Sequence, residues 1–171
     1  TIMIVVNHLP KFNEKRAVVT RARDGYDLAS ITHPILRDYA ERCGADFIVL
    51  NEEIIRAGDY SYELFQCYGL FESYDRILSL DTDVLVVPNC PDLFSIVPVD
   101  SIGTVFEDKF SRSADRRDRI LNAQKQFGDI GWRRGYINSG VFLCSKEHRS
   151  LFALPDNGWW LNYGFDDVLL G

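Results

Sequence analysis

No apolar run in the 171-residue sequence approaches the ~20 residues that a membrane-spanning helix needs. The opening Thr1–Asn7 is too short for the apolar core of a signal peptide and carries no cleavage pattern. There is no Asn-x-Ser/Thr sequon, and Cys43, Cys67, Cys90 and Cys144 contain no Cys-x-x-Cys pair. These absences disfavour a secretory location, so the cysteines are expected as free, mostly buried thiols in a reducing, cytoplasmic compartment. Lys and Arg never run longer than two, and 19 of them face 25 Asp and Glu, for a net charge of −6. Such a chain repels a polyanion unless cations gather locally. The densest cationic stretch, Arg112, Arg116, Arg117 and Arg119, is interrupted by Asp115 and Asp118 and reads as a solvated helix face. Nucleic acid is therefore not an expected partner.

What is present is an ordinary globular composition, 46% hydrophobic and 26% charged, in a length that suits one domain with one sizeable core. Ile2–Val6 and Ala17–Thr20 read as strands. A helix capped by Thr32, with Pro34 in its first turn, would place Ile35, Leu36, Tyr39 and Cys43 on one face and stop at Gly44. Phe47–Leu50 follows as a buried strand, giving the strand–helix–strand unit of a parallel sheet. The pattern then repeats. Ser61 is read as the cap of a second helix bearing Leu64, Cys67, Tyr68 and Phe71, and Ile77–Leu80 as the next strand. Beyond it come a strand over Ile102–Phe106, a polar helix or loop over Ser113–Phe127, a strand within Tyr136–Cys144, an aromatic loop Trp159–Gly164 and a helix starting at Asp166. The expectation is an α/β chain with a mostly parallel central sheet flanked by helices.

Asp81-Thr82-Asp83 interrupts two apolar segments, Ile77–Leu80 and Val84–Val87. With 17 aspartates in the chain, about one or two D-x-D patterns arise by chance, so context must supply the weight. Two carboxylates between apolar segments are costly to bury unpaired. In extended backbone they would point the same way, roughly 6.6 Å apart. Both would then reach one divalent cation, and Mg²⁺ or Mn²⁺ commonly binds one or two carboxylates plus substrate phosphates. Strand ends are also where α/β sheets place their ligands.

The run Tyr74–Val86, read around Asp81 and Asp83, resembles the D-x-D region of GT-A-fold (Rossmann-like) glycosyltransferases, and most of all family 8, the glycogenin-like and bacterial galactosyltransferase-like enzymes. The likeness extends to small enzymes of this kind from large algal viruses. It implies that Asp81 and Asp83 hold Mn²⁺ (or Mg²⁺) against the diphosphate of a UDP-sugar, with Asp81 also reaching the ribose. Asp24-Gly25-Tyr26, after the strand ending at Thr20, resembles the uridine pocket, which adds Thr20, Arg21, Asp24, Tyr26 and Thr82 to the nucleotide-binding set. Ile137–Phe142 resembles the strand opposite the donor sugar, with Asn138 and Ser139 as contacts. Gly164–Val168 resembles the acidic helix start facing the reacting carbon, with Asp166 and Asp167 as catalytic groups.

This chain departs from the family in three places. Ser61–Tyr74 carries no basic residue, and the family's Asp-Gln-Asp stands as Phe165-Asp166-Asp167. The only histidines are His8, His33 and His148, none of them in the place of the family's late metal-ligating histidine. The resemblance thus implies one nucleotide-sugar-binding domain over residues 1–171 that lacks a C-terminal part, with water completing the metal site. The implied reaction is hexosyl or pentosyl transfer to a glycan or glycoprotein hydroxyl with retention. Arg21, Arg133 or Arg134 would assist the diphosphate, and Trp132, Tyr136, Trp159, Trp160 and Tyr163 would offer platforms for an acceptor sugar.

Three alternatives stay open on sequence. A haloacid dehalogenase-type phosphatase also uses D-x-D, but near its chain start and with Thr or Val where Leu85 stands. A sugar nucleotidyltransferase needs a Gly-rich phosphate loop, and Arg21–Gly25 offers one glycine. A binding module without catalysis would keep only the nucleotide pocket.

Overall fold

A computed structural model describes residues 14–23 and 25–171. The strand expected over Ile2–Val6 and the nucleotide-binding Asp24 lie outside the described residues. Five strands, β1 (Arg16–Arg21), β2 (Asp46–Leu50), β3 (Arg76–Leu80), β4 (Gly103–Phe106) and β5 (Ile137–Ser145), form one open sheet in the order β2-β1-β3-β5-β4. β1 runs parallel to both β2 and β3, whereas β5 lies antiparallel between β3 and β4. The sheet is therefore mostly parallel, as expected, with β5 as the reversed strand.

Alternation along the strands divides the core into two layers. Ala17, Val19, Ile77, Phe142 and Cys144 pack on one face with Tyr62, Leu64, Phe65 and Phe152. Val18, Leu78 and Leu143 pack on the other with Leu36, Tyr39 and Phe94. Because successive side chains point to opposite faces, a strand apolar at every position must be covered on both sides. β3 is the extreme case, buried at all five residues.

Among the described residues, five α-helices flank or adjoin this sheet. α1 (Ala29–Arg42) begins three residues before the expected cap, and Thr32 lies buried within it, its Oγ1 donating back to Leu28 O at 3.0 Å. Pro34 therefore sits inside the helix and not in its first turn. The second predicted helix is a 3₁₀ segment, Tyr60–Gln66, followed by the short α2 (Cys67–Leu70). Its cap is Asp59, whose carboxylate accepts from Ser61 N at 2.8 Å. Ser61 does not cap, and its Oγ has no partner among the described residues. α3 (Leu93–Ile96) packs Phe94 against the sheet, and α4 spans Ser113–Phe127, the range read from sequence. α5 (Phe165–Leu170) completes the set.

Two charged side chains are used structurally in ways the sequence did not announce. Arg116 is no member of a solvated face: it is buried and donates from Nε to Glu107 at 2.8 Å. Glu63 is 1% exposed and its carboxylate accepts from the backbone N–H of Ile54, Ile55 and Arg56 at 2.9, 3.0 and 3.2 Å, and from Gln66 Nε2 at 2.6 Å. One carboxylate thus organises the turn between β2 and the 3₁₀ segment. All four cysteines are free; Cys43, Cys67 and Cys144 are buried. Removing the Glu63 carboxylate should strip three amides of their acceptor. Glu63→Ala is expected to lower unfolding free energy by about 2–4 kcal/mol, read as a lower urea midpoint at unchanged m-value; a change below 0.5 kcal/mol would refute this role.

Candidate active site

The register of the sheet brings the predicted residues together. β1 and β3 end side by side, releasing Arg21 and Asp81 at the carboxyl edge. β5 enters from that same edge, pairing Val141 with Leu80, so that Asp81 N donates to Gly140 O at 2.9 Å. Around this edge lies a cavity of about 510 Å³ lined by Arg21, Tyr26, Asp81, Asp83, Asn138, Ser139, Asp166 and Asp167, among others. Thr82 lines it too, and Thr20 supports it from below through a 3.0 Å Oγ1–Oγ1 hydrogen bond to Thr82. Thr20, Arg21, Tyr26, Asp81, Thr82, Asp83, Asn138, Ser139, Asp166 and Asp167 therefore all lie in or directly beneath one cavity, at the strand ends where α/β sheets bind ligands.

The D-x-D geometry differs from the extended form expected. Val84 N donates to Asp81 O at 2.9 Å, closing a turn over residues 81–84. Val84–Val87 does not resume the strand, and Leu85 and Val87 are exposed. The turn buries Thr82, whose hydroxyl donates to Arg21 O, and turns Asp83 outward to the rim. Gly140 is fixed by this approach: a Cβ there would lie 2.6 Å from Asp81 Oδ2 and 2.8 Å from Asn138 Oδ1.

Arg21 plays a different part from that expected. Its side chain is 7% exposed, and the guanidinium donates to Asp81, to Ser61 O and, at 2.6 Å, to Asp166 Oδ2. Burial alone would lower its pKa, but Asp166 and Asp81 more than offset this and hold it charged. It is an internal tie and not a hand free to meet a diphosphate. Arg133 pairs with Asp129 and Gln124 on the surface, and neither it nor Arg134 lines the cavity.

Asp166 and Asp167 occupy the first turn of α5 in distinct environments. Asp166 accepts from Arg21 and from Ser139 Oγ at 2.8 Å. Asp167 accepts from Ser139 N at 2.7 Å, but burial dominates and pushes its carboxyl up from 3.8 to about 6. Asn138 is held on both sides, its Nδ2 donating to Glu107 at 3.2 Å and its Oδ1 accepting from Gly140 N at 3.0 Å. The helix enters at Gly164, whose φ of +94° and approach to Tyr136 Oη leave no room for a side chain.

Several lining residues were not read from sequence: Arg23, Tyr60, Ser61 and Phe165. Arg23 stacks over the Tyr60 ring at 4.7 Å and pairs with Glu53. Its place two residues after Arg21, beyond a strand end, was the available signal. Glu107, which orients Asn138, had one as well, an acidic residue directly after an apolar strand. The aromatic cluster divides. Trp132, Tyr136 and Trp160 pack in a third core cluster with Ile120 and Val168, and Trp159 packs against Tyr62 and Phe65, so only Tyr163, 79% exposed, presents an open ring.

The cavity is rich in oxygen donors. Among the described residues, four carboxylates and two guanidiniums line it, and no group of three or more His, Cys, Asp or Glu side chains is gathered to hold a metal ion. His33 packs on Phe47 and His148 bonds Ser145 N, both away from the cavity. An all-oxygen set of two carboxylates suits Mg²⁺ or Mn²⁺ when substrate phosphates supply the remaining positions.

No family model and no curated protein matches the chain. Solved structures do match, two glycosyltransferases among them. One is a glycosyltransferase involved in the glycosylation of the major capsid of PBCV-1, 17% identical, with a TM-score of 0.57 over 89% of this chain and 72% of that one. The other is a mutant Drosophila beta-1,4-galactosyltransferase 7 in complex with manganese, UDP-Gal and xylobiose, 16% identical, with a TM-score of 0.48 over 91% of this chain and 58% of that one. The first likeness, together with the sheet order, establishes the α/β, GT-A-like fold that the resemblance implied.

The folded chain binds the Asp167 proton more readily than the unfolded chain does. Asp167 therefore favours folding fully below pH 3.8, and this contribution is lost as pH rises through about 6. Asp167→Asn, which keeps an acceptor for Ser139 N–H, should be more stable than the parent at pH 8 by on the order of 1–3 kcal/mol. The gap should close towards pH 4 in a series of thermal melts. A gap independent of pH would show that the carboxylate is not under this strain.

Proposed function

We propose that the chain is a metal-dependent glycosyltransferase domain that moves a hexosyl or pentosyl group from a UDP-sugar to a hydroxyl of a glycan or glycoprotein. The observation that carries this reading is the charge of the cavity. Four carboxylates against two guanidiniums, one of the latter already consumed by Asp81 and Asp166, repel a diphosphate unless a cation accompanies it. The fold likeness to a glycosyltransferase supports the same conclusion.

In this reading Asp81 and Asp83 would hold Mn²⁺ or Mg²⁺, which would supply positive charge to offset that developing on the departing diphosphate. Asp81 remains 38% exposed while bonded to Arg21, so one face of its carboxylate stays open to the cavity. Tyr26, 48% exposed on the cavity wall, offers its ring to the uracil, and Asn138 and Ser139 face the donor sugar. The acceptor oxygen forms the new bond to the anomeric carbon on the same face from which the phosphate oxygen departs, as the bond from that carbon to the phosphate oxygen breaks, and the electron pair leaves on UDP. Asp167 takes the acceptor proton: a carboxyl pushed up to about 6 is matched to proton transfer near neutral pH. Asp166, tied to Arg21 and Ser139, positions α5. Retention of configuration is expected from the family 8 resemblance, and proton NMR of the product's anomeric signal reads it.

A second reading is favoured by one observation. The Arg21–Asp81 ion pair occupies a carboxylate that a metal would use, as in a module that binds the nucleotide without transfer. The phosphatase alternative fits less well, because the D-x-D follows β3, with two described strands before it, and forms a closed turn.

Thermal-shift titration with UDP separates these readings. Mn²⁺ plus UDP should raise the melting temperature well beyond either alone. Asp83→Ala should abolish that increment and reduce sugar transfer at least 100-fold, at an unchanged melting temperature of the free protein, since Asp83 is exposed. Full turnover in that variant would refute the metal assignment, and UDP binding without transfer would favour the binding module.

A further inference from the structure

The cation proposed for Asp81 and Asp83 draws two carboxylates from the protein. Among the described residues, no group of three or more His, Cys, Asp or Glu side chains is gathered to hold a metal ion, so any third protein ligand is of another type. We infer that the side-chain carbonyl of Asn138 is that ligand and that Glu107 is the positioning residue that aims it, an inference that rests on the metal-dependent transferase reading of the cavity.

Asp81 divides its carboxylate. Oδ1 accepts from Arg21, while Oδ2 has no hydrogen-bond partner among the described residues. A Cβ on Gly140 would lie 2.6 Å from this Oδ2 and 2.8 Å from Asn138 Oδ1. The missing side chain thus leaves a gap bordered by a carboxylate oxygen and an amide oxygen. Gly140 N–H takes one lone pair of Asn138 Oδ1 at 3.0 Å, and the second is left over. Two acceptor oxygens brought together with no proton to share repel unless a cation or a donor joins them. Asn138 lines the same cavity as Asp81 and Asp83. A carbonyl oxygen beside carboxylates suits a hard divalent cation.

The amide is not free to turn. Its Nδ2 donates to Glu107 Oε1 at 3.2 Å, and reversal would set its oxygen against that carboxylate and its NH₂ against Gly140 N–H. Glu107 is itself held, Arg112 donating to Oε1 at 2.7 Å and Arg116 Nε to Oε2 at 2.8 Å. Arg116 belongs to α4 and is buried, and Glu107 does not line the cavity. The carboxylate therefore acts through Asn138, as the outer partners of metal ligands commonly do. The second Nδ2 proton remains for the donor sugar, so the two uses of Asn138 do not compete.

Mn²⁺ titration, with the free ion followed by electron paramagnetic resonance and with UDP present or absent, tests this in the parent, Asn138→Leu, Glu107→Gln and the double variant. Asn138→Leu should weaken Mn²⁺ binding about tenfold. Arg116 supplies two donors to Glu107 Oε2, so Glu107→Gln turns its NH₂ towards Asn138 and reverses that amide. It should weaken Mn²⁺ binding by a similar factor in the parent and have no further effect beside Asn138→Leu. In ¹⁵N-labelled parent protein, Mg²⁺ should shift the Asn138 side-chain amide, a response that a contact to the donor sugar alone would not give. Asn138→Asp keeps an oxygen in place should Asn138→Leu fail to fold, and it should bind Mn²⁺ at least as tightly as the parent. An unchanged Mn²⁺ affinity in Asn138→Leu, a weaker one in Asn138→Asp, an Asn138 amide unmoved by Mg²⁺, or the same loss from Glu107→Gln in both backgrounds would overturn the assignment. Failure of the transferase reading would look different: Mn²⁺ would bind through Asn138, but UDP would not raise its affinity.

Discussion

The guanidinium of Arg21 is the point at which three distant stretches of chain meet. It leaves the end of β1 and bonds Asp81 after β3, Asp166 at the start of α5 and the carbonyl of Ser61 in the 3₁₀ segment. A cation this deeply buried is tolerable only because two carboxylates answer it; deleting one partner of such a pair typically costs about 3–5 kcal/mol. The carboxylates are fixed in return. Asp166 anchors α5 against Ser139 of β5, and that anchoring sets where Asp167 emerges. The electrostatics of the cavity thus follow from one internal tie: the Arg21 charge that would have offset the acidic wall is spent within the protein.

The same division of labour separates Asp166 from Asp167. Neighbours in sequence on one helix turn, they differ because one faces a guanidinium, whereas the other is buried against Ser139 with the carboxylates of Asp166 and Glu107 nearby. The glycosyltransferase-like fold supplies the frame for this contrast, but the contrast itself is local to Ser139, Arg21 and the first turn of α5.

Much of the architecture was legible in the sequence, because hydrophobic runs of strand length fall where β1, β2, β3 and β5 lie, and α4 matches its predicted range. The errors are instructive. Ser61 has the residue type of a cap, yet Asp59 sits at the position where an extended backbone can present its oxygen to a later N–H, and the segment winds as 3₁₀. Val84–Val87 is apolar enough for a strand but follows a closed turn and lies near the surface. The cavity lining was largely anticipated through the order of motifs. What composition and spacing did not carry was which charge pairs with which: Arg21 read as a phosphate contact and Arg116 as a surface cation, and both proved to be buried ties. Aromatic residues misled for a related reason, since Trp132, Tyr136 and Trp160 are equally at home in a core.

The reversed strand has a consequence for how the chain acquires its shape. β5 is inserted between β3 and β4, so the middle of the sheet is completed by a segment that follows all its neighbours in sequence. The Arg21–Asp166 contact spans 145 residues. Contacts of such separation carry a large loop-closure entropy and form late. As a nascent chain leaves the ribosome, β1, α1 and β2 can associate early, while β3 waits with one unpaired edge for β5 to arrive. The cavity would be the last region to consolidate, and the interval before β5 docks is when the chain is most exposed to non-native strand pairing and chaperone capture.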